Sequence, residues 1–406
     1  MYKNILLPLD NSEYSNFCID LGISLAKGYK SHITGSHVYA ARLHDNRFKA
    51  MESGLPPKYQ EEKELQKQRD IHDDLITKGL QIISDSYLDV FENRCKEANI
   101  PCSRKMLEGK NYLEIVNDVQ TSDYDLVIIG FLGLGQVKKT QVGSVCERVV
   151  RRIKKDVLVM KSPLNPHFTK KSSLFPPLSK GGEGGLNKIV VAIDGSPNSF
   201  AGLKSAIGLA RIFNSSIACI SAFDPNFHYA AFKNIAGVLS DEAGKIFKFK
   251  EQERLHEEII DKGLAKIYQD HLDTAKDIAK DENFEITTEL LTGKAFEEIL
   301  KYVEKEEPDL LVMGRVGVHA APEFRLAKCN ILISGREFVP PLPLRERDRV
   351  RGQSNIIWTK DALDLLEKIP AMAKGIVKNV VTDYAVKKGY KEIDIKVMQE
   401  ARKGMG

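Results

Sequence analysis

Gly130, Gly133, Gly143 and Ser144 fall within GFLGLGQVKKTQVGSV, which links an apolar run to a helix-favouring segment. Their spacing is G-x2-G-x9-G-S. Glycine lacks Cβ, so the chain can turn sharply at 130 and 133 and let a ligand approach the backbone. Gly143-Ser144-Val145, at the start of a helix, presents amide N–H groups without intrahelical partners, and the Ser144 hydroxyl adds another donor. Such an end attracts phosphate through these donors and the helix dipole. Asp10 leaves an earlier apolar run, YKNILLPL, at the same kind of edge. A carboxylate there can accept hydrogen bonds from ribose hydroxyls or hold a metal on the phosphates. Lys138 and Lys139, between the glycines, add positive charge. A glycine pair alone reads as turn punctuation, and Asp10 alone as a helix cap; the whole set points to a phosphate-bearing ligand.

The same residues argue against neighbouring chemistries. No G-K-[ST] follows the glycines, so this is not a P-loop, and they follow the fourth strand rather than the first, unlike the dinucleotide fingerprint. After the first strand the chain reads Asp10-Asn11-Ser12, not the Ser-Gly-Gly-x-Asp-Ser loop of adenylating enzymes. His72 and His256 each precede two acids, but adjacent helix positions diverge by about 100°, so a solvated helical face is expected rather than a metal pair. Lys110 and Lys294, in L-x-G-K, read as turn residues. No Ser-His-Asp or Cys-His set is clustered by anything in the sequence, and no catalytic residue is assigned.

The elements that would carry the site alternate. Tyr2–Leu9 reads as a strand, and Asp10-Asn11-Ser12 caps a helix carrying Cys18, Leu21, Ile23 and Leu25, which Gly28 closes. His32–Tyr39 is a second strand, followed by a polar stretch and a long helical segment from about Glu61 to Ala98. Cys102–Leu107 is a strand, Tyr112–Val119 a helix, Leu126–Ile129 a buried strand, Ser144–Ile153 a helix and Val157–Met160 a last strand. This order predicts an α/β fold with a parallel sheet covered on both faces. Ligands of such sheets bind at the carboxyl edge, where the strand order reverses.

The order occurs twice. Asp10, Ser12, His72, Gly109, Gly130 and Gly133 recur at a 184-residue offset as Asp194, Ser196, His256, Gly293, Gly314 and Gly317. Past the glycine loop the offset falls to 174: Val157-Leu158-Val159 corresponds to Ile331-Leu332-Ile333. Ten residues are therefore missing from the second copy, where Ala327-Lys328 stands in place of Gly143-Ser144. HAAPEFRLAKC leaves room for about two turns of helix. One working site, in the first copy, is expected.

Domains are expected at 1–161 and 187–334, with a Pro/Gly-rich linker at 162–186 (FPPLSKGGEGG) and another at 335–354 (VPPLPLRERDRVRG). The second linker is basic but has no interleaved aromatics, so it is not read as a nucleic-acid arm. With 60 basic and 56 acidic residues the net charge is only +4, which carries no nucleic-acid or membrane footprint. Six scattered cysteines without a C-x-x-C pair argue against a zinc cage or disulfide framework and suit a reducing cytosol. MYKNILLPLD turns acidic too early for a signal peptide, and no apolar run would span a bilayer. A cytoplasmic protein is expected.

Across 2–161 and 187–334 the chain resembles the ATP-binding subclass of the universal stress proteins, on Asp10 and the G-x2-G-x9-G-S spacing. The resemblance implies flavodoxin/Rossmann-like (HUP-type) five-stranded parallel sheets of order 3-2-1-4-5 that pair through their last strands, between the two copies or in a homodimer. It implies that Pro8, Asp10 and Val38 surround adenine and ribose. Ile129, Gly130 and Gly133 would meet ribose and phosphates, and Gly143, Ser144 and Val145 the phosphate tail of ATP, with or without Mg2+. The implied role is nucleotide-responsive stress signalling.

Residues 355–406 read as a small three-helix module. Thr359 caps Asp361–Ile369, a second helix spans about Met372–Lys388, and Asp394 caps Ile395–Arg402. This tail is similar to the small domain closing the B subunit of light-independent protochlorophyllide reductase, on Trp358, Leu366, Ile369-Pro370, Tyr384-Ala385, Gly389 and Ile393. Thr382 stands where that family usually has an acid, and its iron–sulfur and catalytic parts are not recognisable here. The tail is expected to dock an unknown protein partner. Alternatives left open are a nucleotide-independent scaffold and, third, a reductase accessory.

Overall fold

In a computed structural model of the chain, the described residues are 1–135, 142–163, 185–224, 261–315, 323–340, 357–367, 378, 381–382, 384–385, 388, 390 and 392–403. They form two compact units, Met1–Val339 and Pro340–Gly406.

The first repeat runs β1 (Asn4–Pro8), α1 (Glu13–Tyr29), β2 (His32–Tyr39), α2 (Ala41–Met51), α3 (Glu62–His72), a π-helical turn (Asp73–Lys78) and α4 (Gly79–Glu97). It continues with β3 (Cys102–Glu108), α5 (Asn111–Thr121), β4 (Leu126–Gly130), α6 (Ser144–Arg152) and β5 (Asp156–Met160). The second runs β6 (Lys188–Ala192), α7 (Pro197–Phe213), β7 (Ser216–Phe223), α8 (Asp261–Asp281), β8 (Thr287–Thr292), α9 (Ala295–Glu306), β9 (Leu310–Gly314), α10 (Glu323–Leu326) and β10 (Asn330–Ser334). Central strands such as LVIIG and DVLVM are apolar on both faces because helices cover both, and β5 is buried along its whole length.

The two expected five-stranded sheets are halves of one ten-stranded sheet, ordered β3-β2-β1-β4-β5-β10-β9-β6-β7-β8. Each half is parallel in the order 3-2-1-4-5; the halves join where β5 and β10 pair antiparallel. Leu158 faces Leu332, while Val157 faces Ile333 and Val159 faces Ile331. Leu158 and Leu332 are repeat equivalents, so a local two-fold passes between them, the geometry of an isologous dimer built within one chain. One apolar layer joins α1, α4, α7 and α8 to one face of the sheet, and a second joins α5, α6 and α9 to the other; each contains residues of both repeats.

The join differs from a true two-fold in its charges. Asp156 is fully buried; its Oδ1 accepts from the backbone N–H of Gly335 (2.9 Å), and its Oδ2 from the Arg336 guanidinium (2.7 Å) and the Tyr2 hydroxyl (2.7 Å). Its equivalent is Asn330, whose Oδ1 accepts from the N–H of Lys161 (2.8 Å) and Ser162 (3.2 Å).

Local chemistry corrects one expectation. Gly28 does not close α1: the helix continues to Tyr29, and Lys30 takes the left-handed cap conformation at φ 57°. Gly28 instead lies against α7, where a Cβ would fall 2.6 Å from Ile212 Cδ1.

The second unit holds α11 (Lys360–Glu367) and α12 (Ile395–Lys403), with β11 (Ile357–Trp358) and β12 (Glu392–Ile393) paired in parallel, a small sheet not expected from the sequence. Thr359 and Asp394 cap as expected, accepting from Ala362 N (3.3 Å) and Val397 N (2.9 Å). Ala362, Val381, Ala385, Ile393, Val397, Met398 and Ala401 form its core. Much of the expected middle helix lies outside the described residues.

Candidate nucleotide-sized cavity at the strand switch point

In the first half the chain runs from β1 outward to β2 and β3, then returns to β4 and β5 on the other side, and β6 to β10 follow the same path in the second. The crevice between β1 and β4 at the carboxyl edge is the switch point of such sheets. In the first repeat it opens into a cavity of about 390 Å³. Pro8, Asp10, Val38, Ile129, Gly130, Gly133, Gly143, Ser144 and Val145 all line it. Pro8 and Val145, 137 chain positions apart, are thus brought together. Lys138 and Lys139 lie outside the described residues.

Asp10 latches this edge. Its Oδ1 accepts from Ser12 N (3.1 Å) and Ser15 Oγ (2.7 Å), and its Oδ2 from Leu134 N (3.0 Å) in the glycine loop. It is not itself the helix cap: the hydroxyl of Ser12 accepts from Ser15 N at the start of α1. The loop passes so close that a Cβ at Gly133 would stand 2.3 Å from Asp10 Oδ2. At Gly130 a Cβ would meet Tyr14 Cβ at 2.7 Å. Close approach explains both glycines, since neither has a positive φ.

The start of α6 is built differently from that of α1. Its N-cap is Gly143, which has no side-chain oxygen, and among the described residues no side chain caps the first turn. Glu147 N is the first to bond back, to Gly143 O (3.0 Å). The amides of Ser144, Val145 and Cys146 precede that bond at the cavity wall, where the positive end of the helix dipole adds to their pull on an anion. Nearby, Arg148, Arg152 and Lys110 stand 4.8, 5.1 and 5.3 Å from the Tyr112 ring. These cations reinforce a positive potential along α6.

The sequence reading missed Ser36, His37, Asn111, Ile115, Leu132 and Cys146 in the lining. Asn111 and Ile115 sit in the first turns of α5, which starts at the same sheet edge; that placement was the available signal. His37 Nδ1 lies 2.8 Å from Ser84 Oγ and its ring meets Tyr87 edge-on. Burial lowers its pKa, against the pull of Asp10, which favours the neutral ring. Burial pushes the Cys146 thiol up to about 12, which keeps it protonated. The cavity is thus an apolar wall from Val38, Ile115 and Ile129, a carboxylate at the switch point, and uncapped helix amides. That combination suits a ligand with a flat apolar part and an anionic tail.

The second repeat is altered here. Among the described residues, Asp194 Oδ1 accepts from Ser196, at N (2.9 Å) and Oγ (2.5 Å), and α10 has four residues where α6 has nine. At Gly195, with φ 80°, a Cβ would stand 2.4 Å from His271 Nε2 of α8. Gly317 and His256 lie outside the described residues. His72 stacks on Phe48 with ring centroids 4.3 Å apart, and no metal-holding group occurs among the described residues. Nor is any helix among them long and apolar enough to cross a membrane.

Comparison with known proteins bears on both units. A family model described as the universal stress protein family matches residues 1–161 and 185–327, and one described as the proto-chlorophyllide reductase 57 kD subunit matches 358–402. A universal stress protein of Methanocaldococcus jannaschii is 28% identical over 163 residues, covering 40% of this chain and 84% of that protein. The crystal structure of a universal stress protein from Archaeoglobus fulgidus shares the fold at TM-score 0.50 and 14% identity, covering 82% of this chain and 97% of that one. Matched over most of its length, in both halves of its ten-stranded sheet, the chain belongs to the universal stress protein family.

Proposed function

We propose that the first repeat binds an adenine nucleotide, ATP in the first place, and that the second repeat does not. The observation that carries this reading is the uncapped start of α6 in the same cavity wall as Asp10, Gly130 and Gly133. Val38, Ile115 and Ile129 would contact the base, Asp10 the ribose, and the amides of 144–146 the phosphates, alone or with Mg2+. Asp10 already accepts three hydrogen bonds and His37 is turned to Ser84, so neither is placed to activate water. The reading is therefore of binding and response rather than turnover.

Titrating ATP into the full chain tests it. One site per chain is expected, and Gly143→Asp, which sets a carboxylate against the phosphates, should weaken binding at least about tenfold. Two equivalent sites, or an unchanged Gly143→Asp, would defeat the reading.

A scaffold reading has its own support: the second unit has a separate core and its own family match. Under it, the same Gly143→Asp variant loses nucleotide yet keeps whatever protein partner the tail docks.

A further inference from the structure

The first repeat's α6 is gripped by the second repeat. Val150 belongs to its last turn, where carbonyls lack helical partners. Ile153 N closes on Val149 O (3.1 Å), and the neighbouring Val150 carbonyl accepts from Arg315 Nη2 (3.0 Å), a guanidinium just past β9 of the second repeat. Midway along the helix, Glu147 pairs with Arg151 on α6 and with Arg325 on α10. Burial opposes the charge of Glu147, yet these two guanidinium groups hold its pKa below the usual carboxylate range. The inner face of α6, with Cys146, Val149 and Val150, shares an apolar layer with Ala327, Cys329 and Ile331 of the second repeat.

The grip is reciprocal but uses different residues. Arg315 corresponds to Phe131 in the first repeat, whose ring lies 4.4 Å from Lys161 Nζ. Lys161 in turn donates to the Ala327 carbonyl (2.6 Å), just beyond α10. Each repeat thus sets a cation at the C-terminal end of the other's helix, where it complements the dipole.

We propose that the second repeat serves as the positioning half of the first repeat's site. Arg315, through the Val150 carbonyl, and Arg325, through Glu147, hold α6 at the height and tilt at which its N-terminal amides face the cavity. Neither is a ligand contact; both act through the helix. The shortening of α10 then has a use, because the remnant turn delivers Arg325 to α6. This inference rests on the nucleotide reading and names the residues that regulate its strength.

The test uses the full chain, with ATP and adenosine titrated separately into wild type, Arg315→Met, Arg315→Lys and Arg325→Gln. Arg315→Met should weaken ATP about threefold to tenfold, in the range of a lost helix-terminal charge and hydrogen bond. Adenosine, which does not use the α6 amides, should bind as in wild type. Arg315→Lys should recover most of the loss, and Arg325→Gln should show a smaller loss in the same direction. Equal ATP affinity in wild type and Arg315→Met overturns the inference. A parallel loss of ATP and adenosine also overturns it, because that signals general damage to the repeat. A wild-type chain that binds no nucleotide sinks the underlying reading instead, so the two failures are distinguishable.

Discussion

Asp156 and Arg336 form an ion pair across the join between the repeats, with the carboxylate fully buried and the guanidinium about a third exposed. The Arg336 guanidinium also lies 4.6 Å from the Tyr2 ring and donates to Ser205 Oγ (2.7 Å). Removing the cation leaves a buried carboxylate with only neutral donors. Arg336→Met should therefore destabilise the first unit by about 2–3 kcal/mol, below the full loss of a buried pair because Arg336 is partly solvated. Urea unfolding measures this. A change within 0.5 kcal/mol would mean that Tyr2, Ser334 and the 335–336 amides carry Asp156 alone.

Gly28 and Ile212 occupy the same repeat position and meet between α1 and α7. A side chain at 28 would crowd Ile212 Cγ1 at 2.7 Å as well as Cδ1. Gly28→Leu should cost about 1–3 kcal/mol through overpacking, and adding Ile212→Ala should return much of it. Additive effects in the double mutant cycle would show that the two positions do not touch.

Lys161 supplies a pH signature. Burial lowers its pKa to about 8, while the unfolded chain titrates near the ordinary 10.5. Between these values the unfolded state binds more protons, so this group's contribution to stability rises as pH rises from about 8 towards 10. The buried thiols push the other way at high pH, so the comparison is with Lys161→Met. The wild type should gain on the variant over that window. A difference flat with pH would show that Lys161 keeps its ordinary pKa.

Ser36 is buried in the lining of the cavity, and its Oγ has no hydrogen-bond partner among the described residues. Removing an unpaired hydroxyl relieves its desolvation, so Ser36→Ala should leave stability unchanged or raise it by about 1 kcal/mol. A loss above that in thermal unfolding would mean the hydroxyl is satisfied in solution.

Much of this architecture was legible because buried parallel strands are written as apolar runs. β2 falls where His32–Tyr39 was read, and β4 and β5 within a residue of their expected ends. α2 escaped notice because Ala41–Met51 is polar and buries only Ala41. The sequence favours helix from about Glu61 to Ala98, and a π-helical turn at Asp73–Lys78 breaks the α-helical pattern within that span. Gly28 misled because glycine favours helix ends, yet here its smallness serves a contact that only the tertiary fold creates. The two-residue strands β11 and β12 are too short for any periodicity to register. All nine expected site residues converge on one cavity, since motif spacing encodes how a loop returns to a sheet edge. Ser36 and His37 carry no such mark, and Arg315 was hidden because it acts on the far end of a helix from the other repeat.

The antiparallel meeting of β5 and β10 has a last consequence. Partners made of separate chains come apart on dilution, and identical ones must change in step at every position. A covalent tether removes both conditions: encounter no longer depends on how much protein is present, and a substitution alters one member only. Under the proposed asymmetry, one twin is free to give up its own ligand without depriving its neighbour of support, a division of labour closed to a homodimer.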